Sequence, residues 1–199
     1  MHGANTMLKQ LQSILNDEKF ISSLIESSDE ESSQDHILIF LGTDMKQREQ
    51  ILEITAQEQI AVGDSSSASK ESRIKKANGK YFRIQFEHVF PFTVENLALN
   101  QVASFILFLN QLIDFPGFQL DELEGQTSFR YVWLTKQDTT DSFLIANIIG
   151  IIHAFITFFN QSIERLATGS ATFNELLEEV VKLKDDFEKD SKQKKHKNK

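Results

Sequence analysis

The chain has 199 residues, 40% hydrophobic and 25% charged, which fits one ordinary globular domain with a short tail. It has no cysteine, which excludes disulfides, thiolate zinc sites and cysteine nucleophiles and fits a reducing compartment. The net charge of −8 is uneven: from Glu188 onward six Lys and two acids give +4, so residues 1–187 carry −12. A body that acidic repels phosphate backbones, which argues against nucleic-acid binding.

In chain order, Leu8, Leu11, Ile14, Leu15, Ile21, Leu24 and Ile25 recur at spacings of three and four, which predicts one amphipathic helix from Thr6 to Ser27. The N-terminal stretch has no basic segment leading into an apolar core, so no secretory signal is expected and a cytoplasmic protein is favoured. "SSDEESSQD" (27–35) reads as a polar loop. "HILIFLG" (36–42) and "EQILEITAQEQ" (49–59) read as strands. Residues 63–79, Ser-rich and charged with only Ile74 as a core candidate, read as a mobile loop. In "KYFRIQFEHVFPF", Phe82, Ile84, Phe86 and His88 alternate with Arg83, Gln85 and Glu87, which predicts a strand ended by Pro91.

Thr93 is the expected N-cap of a helix carrying Val94, Leu97, Ala98, Val102, Phe105, Ile106, Leu109, Leu112 and Ile113 and stopping before Pro116-Gly117. "FQLDELEGQTSFRYVWL" (118–134) predicts a hairpin turning near Glu124-Gly125. A long helix is predicted from about Asp141 to Thr168, closed by Gly169. Thr172 and Glu175 then form a capping box for a last helix, which fades into the lysine-rich tail, residues 188–199, expected to be disordered.

The long helix contains 22 residues without a charged side chain, Ser142 to Ile163, enough to span a bilayer. Stepped at about 100° per residue, it separates into two halves. One holds Leu144, Ile145, Ile148, Ile149, Ile151, Ile152, Phe155, Ile156, Phe158, Phe159, Ile163 and Leu166. The other holds Asn147, Gly150, His153, Ala154, Thr157, Asn160, Gln161 and Glu164. A lipid-spanning helix is apolar all round, and no basic cluster or Trp/Tyr belt brackets this one, so a helix lying on a core is expected rather than membrane insertion. Its polar half is small and uncharged until Glu164, which suits close contact with a neighbouring helix or a second subunit. Asn147, Gly150, His153, Ala154, Thr157 and Gln161 are therefore the candidate partner or dimer contacts. Trp133, on an aromatic strand face with Tyr131, is a further candidate for receiving a partner strand.

No phosphate loop, dinucleotide fingerprint, HExxH or GxSxG pattern occurs. The five histidines are scattered, and His88 points away from its neighbour Glu87. Asp121, Glu122 and Glu124 read as a solvated acidic turn rather than a cation loop. Nothing assembles a nucleophile with a base, so no catalytic residue, cofactor or metal is expected.

From about Tyr81 to Val180 the chain resembles the YbjN-like family, whose fold is that of the CesT/Tir-type secretion chaperones. The resemblance is carried by "VFPF", by "FILFLNQLIDFPGFQLDELEGQTSFRYVWL" with Leu109-Asn110, Gly117-Phe118, Gly125 and Arg130, by "LIANIIGIIHAFITFFNQSIERLATG" and by "TFNELLEE". It implies an α+β fold, an antiparallel sheet flanked by helices over residues 1–187, often homodimeric and without catalytic residues. It further implies a type III secretion chaperone-like module that holds the extended segment of an exported protein on apolar patches and strand edges. YbjN-like relatives described as regulators of sensory signalling give the alternative: a module binding a signalling partner or ligand.

Overall fold

The computed structural model describes residues 2–27, 34–60, 80–115, 117–136, 141–179 and 181–182. The expected 63–79 loop, the 188–199 tail and residues 28–33 of the polar loop lie outside the described residues. The chain runs α1 (His2–Asp17), β1 (Ser22–Ile25), β2 (His36–Thr43), β3 (Glu49–Ile60), β4 (Lys80–Thr93), a 3-10 turn (Asn96–Ala98), α2 (Leu99–Leu112), β5 (Phe118–Asp121), β6 (Gln126–Thr135) and α3 (Ser142–Ala167). Residues 173–179 begin a fourth helix, α4. The fold is α+β, with one six-stranded antiparallel sheet in the order β1-β2-β3-β4-β6-β5. The described residues cluster into two compact units, Met1–Val89 with Phe129–Ile156 and Phe90–Ser128 with Thr157–Lys199.

In the first unit, strands β2 to β4 alternate between a buried and an open side. Ile37 and Ile39, then Leu52, Ile54 and Ala56, then Phe82, Ile84, Phe86 and His88 are buried. The register pairs Ile37 with Ile54 and Phe86 with Ile54, so these side chains form continuous rows across the strands. Helix α1 covers this side with Met7, Leu8, Leu11 and Leu15. It approaches so closely that a Cβ on Gly3 would collide with the Glu58 carboxylate. From α3, Ile145, Ile148, Ile149, Ile152 and Ile156 are buried in the same unit, and Phe155 meets Phe129 at 6.2 Å.

The single helix expected over Thr6–Ser27 is corrected: it ends at Asp17, and Ser22–Ile25 is a strand. Lys19 takes a left-handed conformation, φ 65°, and the chain closes with Phe20 N–H donating to Leu15 C=O at 2.9 Å and Lys19 N–H to Asn16 C=O at 3.0 Å. Such a backbone costs a lysine about 1–2 kcal/mol. The ladder that β1 forms with β2, from Ser22↔Ile39 to Ile25↔His36, offsets it. Pro91 also fails to end its strand, because β4 continues to Thr93. The β3 ladder already stops at Glu53↔Glu87, so the missing Pro91 N–H removes no bond on that side.

In the second unit, Phe90 stacks on Phe118 at 6.2 Å, and Phe118 meets Phe159 edge-on at 5.7 Å. Phe105, Phe108 and Phe173 form a second ring cluster. Thr93 is the end of a strand, not the expected N-cap. The 3-10 turn follows Glu95, with no side-chain cap. Backbone bonds take that role: Val94 N–H donates to Gly125 C=O at 2.7 Å and Glu95 N–H to Ala167 C=O at 3.0 Å. Leu97, expected on the core side, is 94% exposed because the 3-10 turn rotates it outward.

Asn110 fixes the passage from α2 to β5. Its Oδ1 accepts from Gly117 N–H and Phe118 N–H, both at 3.1 Å, and its Nδ2 donates to Phe118 C=O at 2.9 Å. The β5–β6 turn is set by Asp121, whose Oδ1 accepts from Leu123 and Glu124 N–H, and by Gly125 at φ 62°. Helix α3 ends in a Schellman closure. Ser170 N–H donates to Arg165 C=O and Gly169 N–H to Leu166 C=O, with Gly169 at φ 66°. The Thr172–Glu175 capping box forms as expected, with Thr172 N–H 2.7 Å from Glu175 Oε2.

Replacing Asn110 by Ala removes three bonds and should lower unfolding stability by about 2–3 kcal/mol in chemical denaturation. Gly125→Ala adds to the left-handed strain a Cβ 2.9 Å from Val94 O, whereas a Cβ at Gly169 meets open space. Gly125→Ala should therefore cost more than Gly169→Ala, which loses only about 1–2 kcal/mol.

Candidate functional site

Helix α3 begins at a capped turn: Asp141 Oδ1 accepts from Phe143 N–H at 2.9 Å and Asp141 C=O from Ile145 N–H at 3.1 Å. Its inner side is isoleucine-rich and buried, as the sequence reading requires. The reverse side is exposed in the single chain. Asn147, Gly150, Ala154, Thr157 and Gln161 all lie on it. A Cβ at Gly150 would have nothing within 4 Å. Asn147 folds back along the helix, its Nδ2 donating to Phe143 C=O at 2.7 Å.

The angular division needs two corrections. Asn160 and Glu164, placed on the polar half, are buried; Phe158 and Leu144, placed on the apolar half, are exposed. The exposed side is therefore more apolar than the sequence implied. Phe143 is 75% and Phe158 55% exposed. The only acidic or basic residues of α3 besides His153 are Glu164 and Arg165 in its last turns, where Arg165 donates to the Glu179 carboxylate of α4 at 2.9 Å. Solvated helix faces ordinarily carry Lys and Glu. A face of Phe, Asn, Gly, Ala and Thr is a surface that loses little on desolvation.

Among the described residues α3 alone is long and apolar enough to cross a membrane by length and composition, a test that the core helix of a soluble protein also passes.

His153 does not share the open stripe. It is half-buried. His88 is 1% exposed, and its Nδ1 lies 2.8 Å from the Ile51 carbonyl oxygen, so Nδ1 carries the proton and donates. Trp133 is half-buried on β6. That strand lies between β4 and β5, so the outermost strands are β1 and β5. Among the described residues no three His, Cys, Asp or Glu come close enough together to hold a metal ion.

The buried histidine makes stability pH-dependent. Burial pushes the His88 imidazole below its ordinary 6.5, the bond to Ile51 opposes this, and His153 adds to the lowering. The unfolded chain therefore binds a proton that the folded chain refuses, and stability falls as pH drops from 6.5 through the folded-state value. Denaturation curves taken from about pH 7.5 to about pH 5 should lose stability with a slope approaching 1.4 kcal/mol per pH unit, and His88→Gln should flatten it.

No family model and no curated protein matches this chain.

Proposed function

We propose that the protein is a non-enzymatic binding module of secretion-chaperone-like character that holds a partner polypeptide in extended form. The observation that carries this reading is the exposed side of α3. Phe143, Asn147, Gly150, Ala154, Thr157, Phe158 and Gln161 line it without a charge. The two phenylalanines would anchor apolar side chains, and Gly150 and Ala154 between them let a backbone approach closely. Asn147, Thr157 and Gln161 can bond the partner's peptide groups. The four-residue outer strands β1 and β5 offer a short stretch of backbone for strand addition, a secondary grip. The acidic body suits a partner with basic character, such as the leading segment of an exported protein. The absence of cysteine suits a cytoplasmic setting.

Immobilised protein should retain polypeptides with exposed N-terminal segments from native lysate and bind synthetic versions of those segments. Gly150→Glu with Ala154→Glu should weaken peptide binding at least about tenfold in fluorescence anisotropy, since a charge must then be desolvated. The fold should stay unchanged by circular dichroism, because both positions face solvent. Retention that is equal in the variant would count against the stripe. Thermal shift by small molecules without any polypeptide bound would favour a ligand-binding regulator.

A further inference from the structure

The first unit's sheet has a second side, turned away from α1, whose charges are unmatched among the described residues. On β4, Arg83 Nη2 donates to Gln85 Oε1 at 2.8 Å and Gln85 Nε2 donates to Glu87 Oε2 at 2.8 Å. Directly across on β3 stand Gln57, Thr55 and Glu53. Glu53 and Glu87 are thus like charges placed opposite each other, an arrangement that weakens a strand pair. Arg130 of β6 lies on this side too, since Phe129 is buried and Tyr131 meets buried Phe86 on the other. Among the described residues none of Arg83, Arg130, Glu53 and Glu87 has an oppositely charged partner, and the Glu53 side chain makes no hydrogen bond. With Glu49 of β3 on the same side, the surface carries three acids against two arginines, close to balance on a chain of net charge −8. At one end it is apolar: Phe40 faces Ile51 across β2 and β3, and Val89 is 52% exposed.

We propose that this sheet face docks on the same face of a second copy of the chain, about a two-fold axis that crosses the strands at the level of Gln85 and Thr55. The rotation reverses strand direction. It sets Arg83 of each copy over Glu87 of the other and Gln57 over Glu53. Arg83 and Glu87 are two residues either side of the axis, so both contacts are made twice, as an isologous interface requires. Sheets stacked about 10 Å apart bring a guanidinium within reach of a facing carboxylate. Glu87, which already accepts from Gln85, then gains a cationic partner, Glu53 gains a donor, and this nearly balanced patch is the part of an acidic surface that a like copy can approach. This pairing does not depend on the α3 stripe.

Sedimentation velocity on the full chain tests it. The wild type should sediment at twice the 22.8 kDa chain mass, less so at high salt. Arg83→Glu should shift it to the single chain by weakening association about tenfold or more, and adding Glu87→Arg, which exchanges the two charges, should restore the dimer. Should Arg83→Glu fail to fold by circular dichroism, Gln57→Glu supplies the same repulsion, against Glu53 of the second copy. A wild type that stays a single chain overturns the proposal. So does a dimer untouched by the folded charge variants, or one that the exchange fails to restore. A dimer that instead dissociates with Gly150→Glu and Ala154→Glu places the second copy on α3 and overturns it as well.

Discussion

Strand β4 buries every second side chain from Phe82 to Phe90, and the first unit's sheet is organised around that alternation. A slip of one residue would turn Arg83, Gln85 and Glu87 into the core and expose three aromatics and an isoleucine. Register is thus fixed by the difference between two sides of one strand. The arrangement accepts one polar residue on the inner row, His88, only by supplying a carbonyl for its proton. A neutral imidazole in that place is tolerable; an imidazolium is not. The same strand therefore sets the fold and its sensitivity to acid.

The strands were legible because period-two alternation survives locally: Leu52, Ile54 and Ala56 on β3 show it as clearly as β4 does. The hairpin was legible from Gly125, and the end of α3 from Gly169 followed by Thr172 and Glu175. The α1–β1 break was not. Ile21, Leu24 and Ile25 continue the helical spacing, and the interruption at Lys19 depends on a conformation that lysine rarely takes. It is held by β2, a partner distant in sequence. The start of α2 was hidden in the same way. Its first turn is satisfied by Gly125 and Ala167 rather than by a neighbouring side chain.

The helix α3 illustrates the limit of angular reasoning. A wheel treats the helix as an isolated cylinder, so it can separate chemistries but not decide which neighbours fill each sector. Ile145 to Ile163 fell where expected. Asn160 and Glu164 are covered, and Phe158 is left in water, because the covering surface is not centred on the most apolar direction. That offset matters for the candidate site. It replaces a purely polar stripe by one with aromatic residues, Phe143 and Phe158, among its small and amide side chains.

The outer strands β1 and β5 are each four residues long. An edge of that length exposes few free peptide groups, enough for a short added strand but a poor template for a long ladder. A two-fold face-to-face contact is likewise self-limiting: once two copies meet, the surface is consumed. Short edges and a two-fold contact of the kind proposed above would both close an assembly rather than extend it.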